Sequence, residues 1–457
     1  MVYETSYESG RKPFKPDPNR GKWEKPTDFI YACFGLALKL DLFVISYWFY
    51  FDMGLFGMLP YYIYMALYLV PIMVIHSFMG QFSSSGFISS FRVSPFFKES
   101  YHMPANSSLS WHIVGYSIAV WAIITFIFYK FSETAKFGKL IRYMVIFTLV
   151  LLLICMTRFL FLPGALDGIV HYMKPHFEHM FEGGLCMSVV VLQAFGSGWG
   201  TIIALSSYNN FKTNIMNYSW IIAFGQTLVY ILFGMVTFML KHYFQTLNAD
   251  TFNSFVEANW ALFLSTASIL STMEFPNFWT ILYYTMLLMG SLIVMNGAEY
   301  FSALSLDAIM THSLMHLILL LAILWVYGRE RFQRDIEFML GEPFASWKIF
   351  ILRFIAPLFL LFALVMGIFI SSFEHAFSSD IMVTVSLIVV LLSVLFIPGY
   401  GVLIMFQNTG SFCNRFRRAC RPNDWYPIEM EDRQQYEEVV GNADITHQLY
   451  EVTEEVH

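Results

Sequence analysis

Two ionisable side chains stand where ionisable side chains are costly. Lys39 and Asp41 lie in the stretch Gly35 to Trp48, GLALKLDLFVISYW, near the middle of an apolar segment from about Asp28 to Phe51. That segment is long enough to cross a bilayer as a helix. At the centre of a lipid-facing helix each charge would cost roughly 2.5 to 3.5 kcal/mol, so both must face protein, water or each other. A spacing of two points them apart on a regular helix, which requires an unwound segment or a separate partner for each. His76, His312 and His316 also sit in or beside apolar segments. A proton relay needs partners in series, so packing or interface positions are the simpler reading for them. The sequence shows no Gly-rich phosphate loop, nucleophile elbow, zinc-ligand spacing or nucleic-acid patch. An enzyme, a cofactor site and a nucleic-acid partner are therefore not expected.

The elements that must hold Lys39 and Asp41 follow from composition. Hydrophobic residues make up 57% of the chain, charged residues 13%, and there are 48 Phe. That balance specifies an all-α polytopic membrane protein with the lipid bilayer as its solvent. Apolar segments recur near 29–51, 57–80, 111–129, 143–162, 187–208, 219–240, 279–304, 312–327, 350–371 and 381–406, about ten spans, the eighth barely long enough. They divide the chain into a polar, basic leader over 1–27, a transmembrane region over 28–407 and a tail over 408–457. The leader lacks the apolar core of a secretory signal. Its bases, and those at Arg92 to Lys98, Lys130 to Arg142, Arg329 to Arg334 and Arg415 to Arg421, place these connections and both termini in the cytoplasm. The tail is basic and then, from Glu429, acidic and weakly periodic, which reads as a disordered segment able to recruit a protein partner. The five cysteines show no pattern that suggests a disulfide framework or a metal site.

The charge rule fails at two places. Bases flank the third segment on both sides, while an Asn-x-Ser glycosylation sequon at Asn106 pulls its beginning outward. Between Asn296 and His312 one segment ends and the next begins with almost no loop. One span is wanting at each place.

Several long motifs resolve the pattern. FLPGALDGIVHYMKPHF (Phe161 to Phe177) and WGTIIALSSYNNF (Trp199 to Phe211) closely resemble the neurotransmitter:sodium symporter family, the sodium- and chloride-coupled carriers of monoamines, GABA, glycine and amino acids. GQFSSSGFISSFRVSPFFK (Gly80 to Lys98), WVYGRERFQRDIEFMLG (Trp325 to Gly341), and IPGYGV followed by RRACRPNDW (Ile397 to Trp425) extend the resemblance over most of the chain. It implies an inverted-repeat fold with broken helices around a site at the membrane midplane. Of that family's twelve spans, the third and the ninth are without counterparts, at the two places where the charge rule fails. Either exons are missing from this chain, the favoured reading, or the protein has ten spans with an inverted or re-entrant link.

The resemblance also implies a set of site positions. The family's sodium ligands fall at Leu42, Ala194, Gln226, Leu292 and Ile293, of which only Gln226 offers a side-chain oxygen. Its chloride site falls at Tyr61, with other positions reading Val190, Ala194 and Tyr230. The gate positions are Ile45 and Gln193, and the glycines that approach a substrate carboxylate are replaced by Lys39 and Asp41. Monoamine carriers place an Asp where this chain has Lys39, and a cation there would repel an amine. Gly196, Gly198 and Gly200 retain the hinge of the sixth span, where missing side chains permit unwinding or simply close helix packing. For Lys39 and Asp41 two readings stay open: an internal mimic of sodium and substrate carboxylate, or a paired or hydrated charge without mimicry. The expectation is a plasma-membrane, transporter-like protein for a small amino acid or amine-like solute, with sodium and chloride implied and ordinary sodium coupling impaired or lost. The alternative is a non-transporting relative acting as a membrane scaffold or partner subunit.

Overall fold

The computed structural model describes residues 21–38, 55, 58–83, 122, 125–127, 129–131, 133–174, 191, 201–247, 266, 269–294, 308–373, 402, 405–406, 411–419, 427, 430–436 and 438–439. Among them there is helix and no strand.

The first helix, α1 (Pro26–Gly35), starts with proline at its first turn, where the missing N–H is no loss. Its Asp28 carboxylate reaches back to accept the Lys25 backbone N–H at 3.2 Å. The helix tightens into a 3₁₀ turn over Leu36–Leu38. Next come α2 (Met58–Tyr64), a π-helical turn over Met65–Leu69 and α3 (Val70–Ser83). The run bends by 44° between Met58–Leu67 and Val70–Phe82. A π turn leading into Pro71 accounts for the bend, because proline supplies no N–H to the helical ladder.

Two long helices form the spine. In α4 (Thr134–Phe159) one side, with Ile141, Val145, Leu152, Cys155 and Phe159, is buried. The opposite side exposes Tyr143, Phe147, Val150 and Leu153. An apolar helix that keeps half its apolar surface uncovered is suited to a lipid solvent. Then follow α5 (Ala165–Met173), α6 (Thr201–Ser206) and α7 (Ile215–Leu247). Gly168 lets α5 lie on α7, since a Cβ there would fall 2.6 Å from the Phe238 carbonyl oxygen. The Tyr172 hydroxyl donates to the Ile231 carbonyl at 3.3 Å beside it.

The remaining elements are α8 (Pro276–Val294), α9 (Ala308–Leu321) with a π segment over Ala322–Gly328, and α10 (Arg329–Leu340). They are followed by α11 (Ser346–Phe350), a π turn over Ile351–Ile355, α12 (Ala356–Phe373), α13 (Phe412–Ala419) and α14 (Met430–Tyr436). Helix α12 packs along α9 and α8 along α4.

Among the described residues four helices are long and apolar enough to cross a membrane, Thr134–Phe159, Ile215–Tyr243, Ser313–Leu340 and Ser346–Val365, and the bent pair makes up to five. The others of the ten expected spans lie wholly or partly outside the described residues. The span expected at 312–327 is not short, because helix continues through the π segment and, past Gly328 at φ +101°, into α10. Trp23 is already buried, its indole N–H donating to the Leu205 carbonyl at 3.0 Å and its ring lying edge-on to Tyr208 at 5.6 Å.

The run from Glu429, expected to be disordered, contains α14, whose Tyr436 is only 8% exposed. Two phenylalanines on other elements, Phe82 and Phe338, give the tyrosine ring the apolar neighbours that the tail's own sequence lacks. Burial, reinforced by the Asp335 carboxylate, pushes the Tyr436 hydroxyl above its ordinary value of 10.0. The raised value means that the docked state disfavours the phenolate. Docking is thus intact below the ordinary value and weakens as pH rises past it. A spin label on Glu431→Cys is expected to keep one slow spectrum through neutral pH and to become mobile above about pH 10. A spectrum unchanged to higher pH would contradict this docking.

Candidate functional site

The 3₁₀ turn that ends α1 lies one residue before Lys39. A 3₁₀ turn at a helix end uses i to i+3 bonds and marks where regular α-helix stops. Its last carbonyl, that of Leu38, lies against Gly290 of α8, where a Cβ would stand 2.6 Å from the oxygen. Leu292 and Ile293 continue the same helix within one turn of that contact. From the other side Gly225 of α7 receives the Phe34 ring so closely that a Cβ would overlap it. Glycine at both positions lets three helices meet around the end of α1.

Gln226 follows directly. It is fully buried and donates its side-chain N–H to the Cys33 carbonyl at 3.1 Å, tying α7 to the last turn of α1. One position further, Thr227 turns toward the second segment, with its hydroxyl 3.7 Å from Met65 Sδ and donating to the Ala223 carbonyl at 2.8 Å. Tyr61 is fully buried and meets Tyr230 edge-on at 6.1 Å between ring centroids. Residues 223–230 of α7 thus form a hub, with one side held to α1 and the other to α2 and its π turn. The chain brings Gln226, Tyr61 and Tyr230 to this hub and runs Leu292 and Ile293 past it as helix. Lys39, Asp41, Leu42, Ile45, Val190, Gln193, Ala194, Gly196, Gly198, Gly200 and Asn106 lie outside the described residues.

A second constellation, not anticipated from the sequence, closes the chain end of α1. Asp28, fully buried, forms an ion pair with Arg142 of α4, whose Nε lies 2.7 Å from Asp28 Oδ1. Gly138, one turn before Arg142, gives room for the Trp23 ring. Outside this knot Glu24 meets Lys139 at 2.6 Å, and the lysine beside it holds the Glu24 carboxyl below the usual range. Both side chains of that pair are well exposed, so it adds little to stability. The available signal was Trp23 itself, an indole placed among lysines just before a helix start.

Below α6 a polar cluster continues the closure. Asn209 donates to Gln81 at 3.2 Å, and Gln81 in turn donates to the carbonyls of Phe211 at 2.8 Å and Thr213 at 3.1 Å. Every one of these residues lies in or beside a motif that carried the resemblance. His76 and His316 are buried and stacked, with ring centroids 5.3 Å apart, which agrees with packing between α3 and α9. His312 lies on α9, and its side chain is outside the described residues.

The model of the Sodium:neurotransmitter symporter family matches residues 100–299. Over that stretch, less than half of its length, the chain is similar to that family. It is 25% identical over 376 residues to the sodium- and chloride-dependent glycine transporter 2 of Xenopus laevis, covering 70% of this chain and 47% of that protein. Glycine transporter 1 of the same organism is 24% identical over 353 residues, covering 65% and 55%. The sodium-dependent serotonin transporter of Drosophila melanogaster is 26% identical over 358 residues, covering 67% and 57%. The chain spans about half the length of the curated relatives it matches.

Proposed function

We propose that the chain is a plasma-membrane, carrier-like member of its family for a small amino acid or amine-like solute, with sodium coupling impaired or lost. A single observation carries the reading. Among the five positions that the resemblance assigns to sodium, Gln226 alone has a side-chain oxygen, and its amide N–H is directed at the Cys33 carbonyl. A small hard cation needs several oxygen donors converging on it, and the hydrocarbon side chains of Leu42, Ala194, Leu292 and Ile293 have no lone pair to give.

The 3₁₀ end of α1 beside Lys39 and the close seat of Leu38 on Gly290 support an inverted-repeat fold with a broken first helix. Loop charge supports cytoplasmic termini and an extracellular sequon at Asn106. A second reading, a non-transporting scaffold or partner subunit, is favoured by the ammonium and carboxylate of Lys39 and Asp41 at the approach positions. Efflux and exchange of preloaded amino acids from expressing cells separate the two. Exchange that proceeds equally in sodium and in choline supports the carrier, and none in either supports the scaffold.

A further inference from the structure

Arg353 stands well inside an apolar span without a counter-charge. It follows Ser346, the first residue of the span Ser346–Val365, by about 10 Å of helix at 1.5 Å per residue. Among the described residues it forms no ion pair, and its Nε is buried without a hydrogen-bond acceptor. Its contacts are aromatic instead. The guanidinium carbon lies 4.3 Å from the centre of the Trp325 ring and 5.6 Å from that of Phe354. Phe354 in turn meets Trp325 edge-on at 5.8 Å and Phe350 at 5.2 Å. Trp325, Phe350 and Phe354 are all exposed, on spans that keep much of their apolar surface uncovered, so this cation rests on a face open to lipid. Both sides of the contact are π-helical. Trp325 belongs to Ala322–Gly328 and Arg353 to Ile351–Ile355, and the two segments pack together. Such turns interrupt the regular ladder and recur at functional sites.

We propose that Arg353 and Trp325 form a binding site for the phosphate of an anionic phospholipid from the surrounding bilayer. A guanidinium at this depth needs a partner, because hydrocarbon supplies neither water nor acceptors. Helical side chains lean toward the N-terminal end of their helix, so Arg353 is directed back toward the Ser346 end, where the span meets the headgroups. A guanidinium over an indole ring keeps its N–H groups at its edge, in the planar fork that matches two phosphate oxygens. The exposed rings of Trp325, Phe350 and Phe354 suit the acyl chains that accompany a lipid phosphate, and they offer no hold on a free phosphate ion. Charge selects the headgroup further. The same end of these two spans also carries Lys348, Arg329 and Arg331, against Glu330 and Glu342. That balance favours a net negative headgroup over a zwitterionic one, whose ammonium the excess cations would repel. The site stands whether or not the chain moves a solute.

The test uses the purified full chain in detergent, titrated with equimolar phosphatidylglycerol and phosphatidylcholine, with bound lipid read by native mass spectrometry. Wild type is expected to retain phosphatidylglycerol in preference. Arg353→Met keeps an unbranched stem over Trp325 and removes the charge, and its tightest phosphatidylglycerol should bind roughly tenfold more weakly, the loss expected for a charge-assisted hydrogen bond. Lys348→Met, on the same helix but away from Trp325, should lose less. Because Arg353→Met removes a lipid-facing charge, it should elute from size exclusion as wild type does. If it aggregates, Arg353→Lys decides in its place, since an ammonium keeps the charge without the fork and should bind several-fold more weakly. Equal retention by wild type and the deciding variant would overturn the proposal, as would equal retention of the two lipids by wild type. A larger loss at Lys348 than at Arg353 would overturn it by moving the site. Displacement of the lipid by inorganic phosphate would overturn it by showing a site for the free anion.

Discussion

Asp28→Ala is expected to lower the stability of the purified protein by about 3–5 kcal/mol, the cost of leaving a buried charge without its partner. Asp28 is fully buried, and the Arg142 side chain that it holds is 17% exposed, so water can make up little of the loss. The same carboxylate accepts the Lys25 backbone N–H at the start of α1, where a negative charge also favours the helix. The substitution therefore removes a clamp between α1 and α4 together with a stabilising group at the start of α1. A thermal shift in detergent measures it, and the pair Asp28→Leu with Arg142→Met should recover most of the loss. Equal melting of wild type and Asp28→Ala would show that the pair contributes nothing.

The second large effect lies at Gly80. A methyl group there would stand 2.0 Å from the Ile203 carbonyl oxygen and 2.1 Å from the Ser206 hydroxyl. The first obstacle is backbone, which cannot rotate away. The second is fixed by donation to the same carbonyl at 3.0 Å, with the His76 carbonyl 3.4 Å away. Gly80→Ala must therefore push α3 and α6 apart, and overpacking of this kind costs at least about 1–3 kcal/mol. A large fall in the monodisperse peak on size-exclusion chromatography is the expected reading, and a normal peak would contradict the close approach.

These two positions show what the sequence reveals and what it hides. Gly80 opens one of the motifs that carried the resemblance, and its reason is now physical: helix-to-carbonyl contact that admits no Cβ. The long apolar runs of α4 and α7 were legible because period and length alone define a span. Asp28 was not legible as a clamp, since Arg142 is 114 residues away and nothing local pairs them. Trp23 was hidden by the lysines around it, and Tyr436 by an acidic tail with no apolar periodicity of its own. Each is buried by surfaces contributed from distant parts of the chain, which a local pattern does not encode. Gln226 was singled out only through the resemblance, and its bond to the Cys33 carbonyl depends on where α1 stops.

The proposed function turns on the loss of ordinary sodium coupling. It is tested most directly by initial-rate uptake of labelled glycine and other amino acids into expressing cells, with external sodium varied against choline at constant chloride. The account predicts rates that do not rise with sodium, because the five assigned positions hold one oxygen-bearing side chain, Gln226, whose amide faces α1. Saturable uptake that grows with external sodium would contradict it.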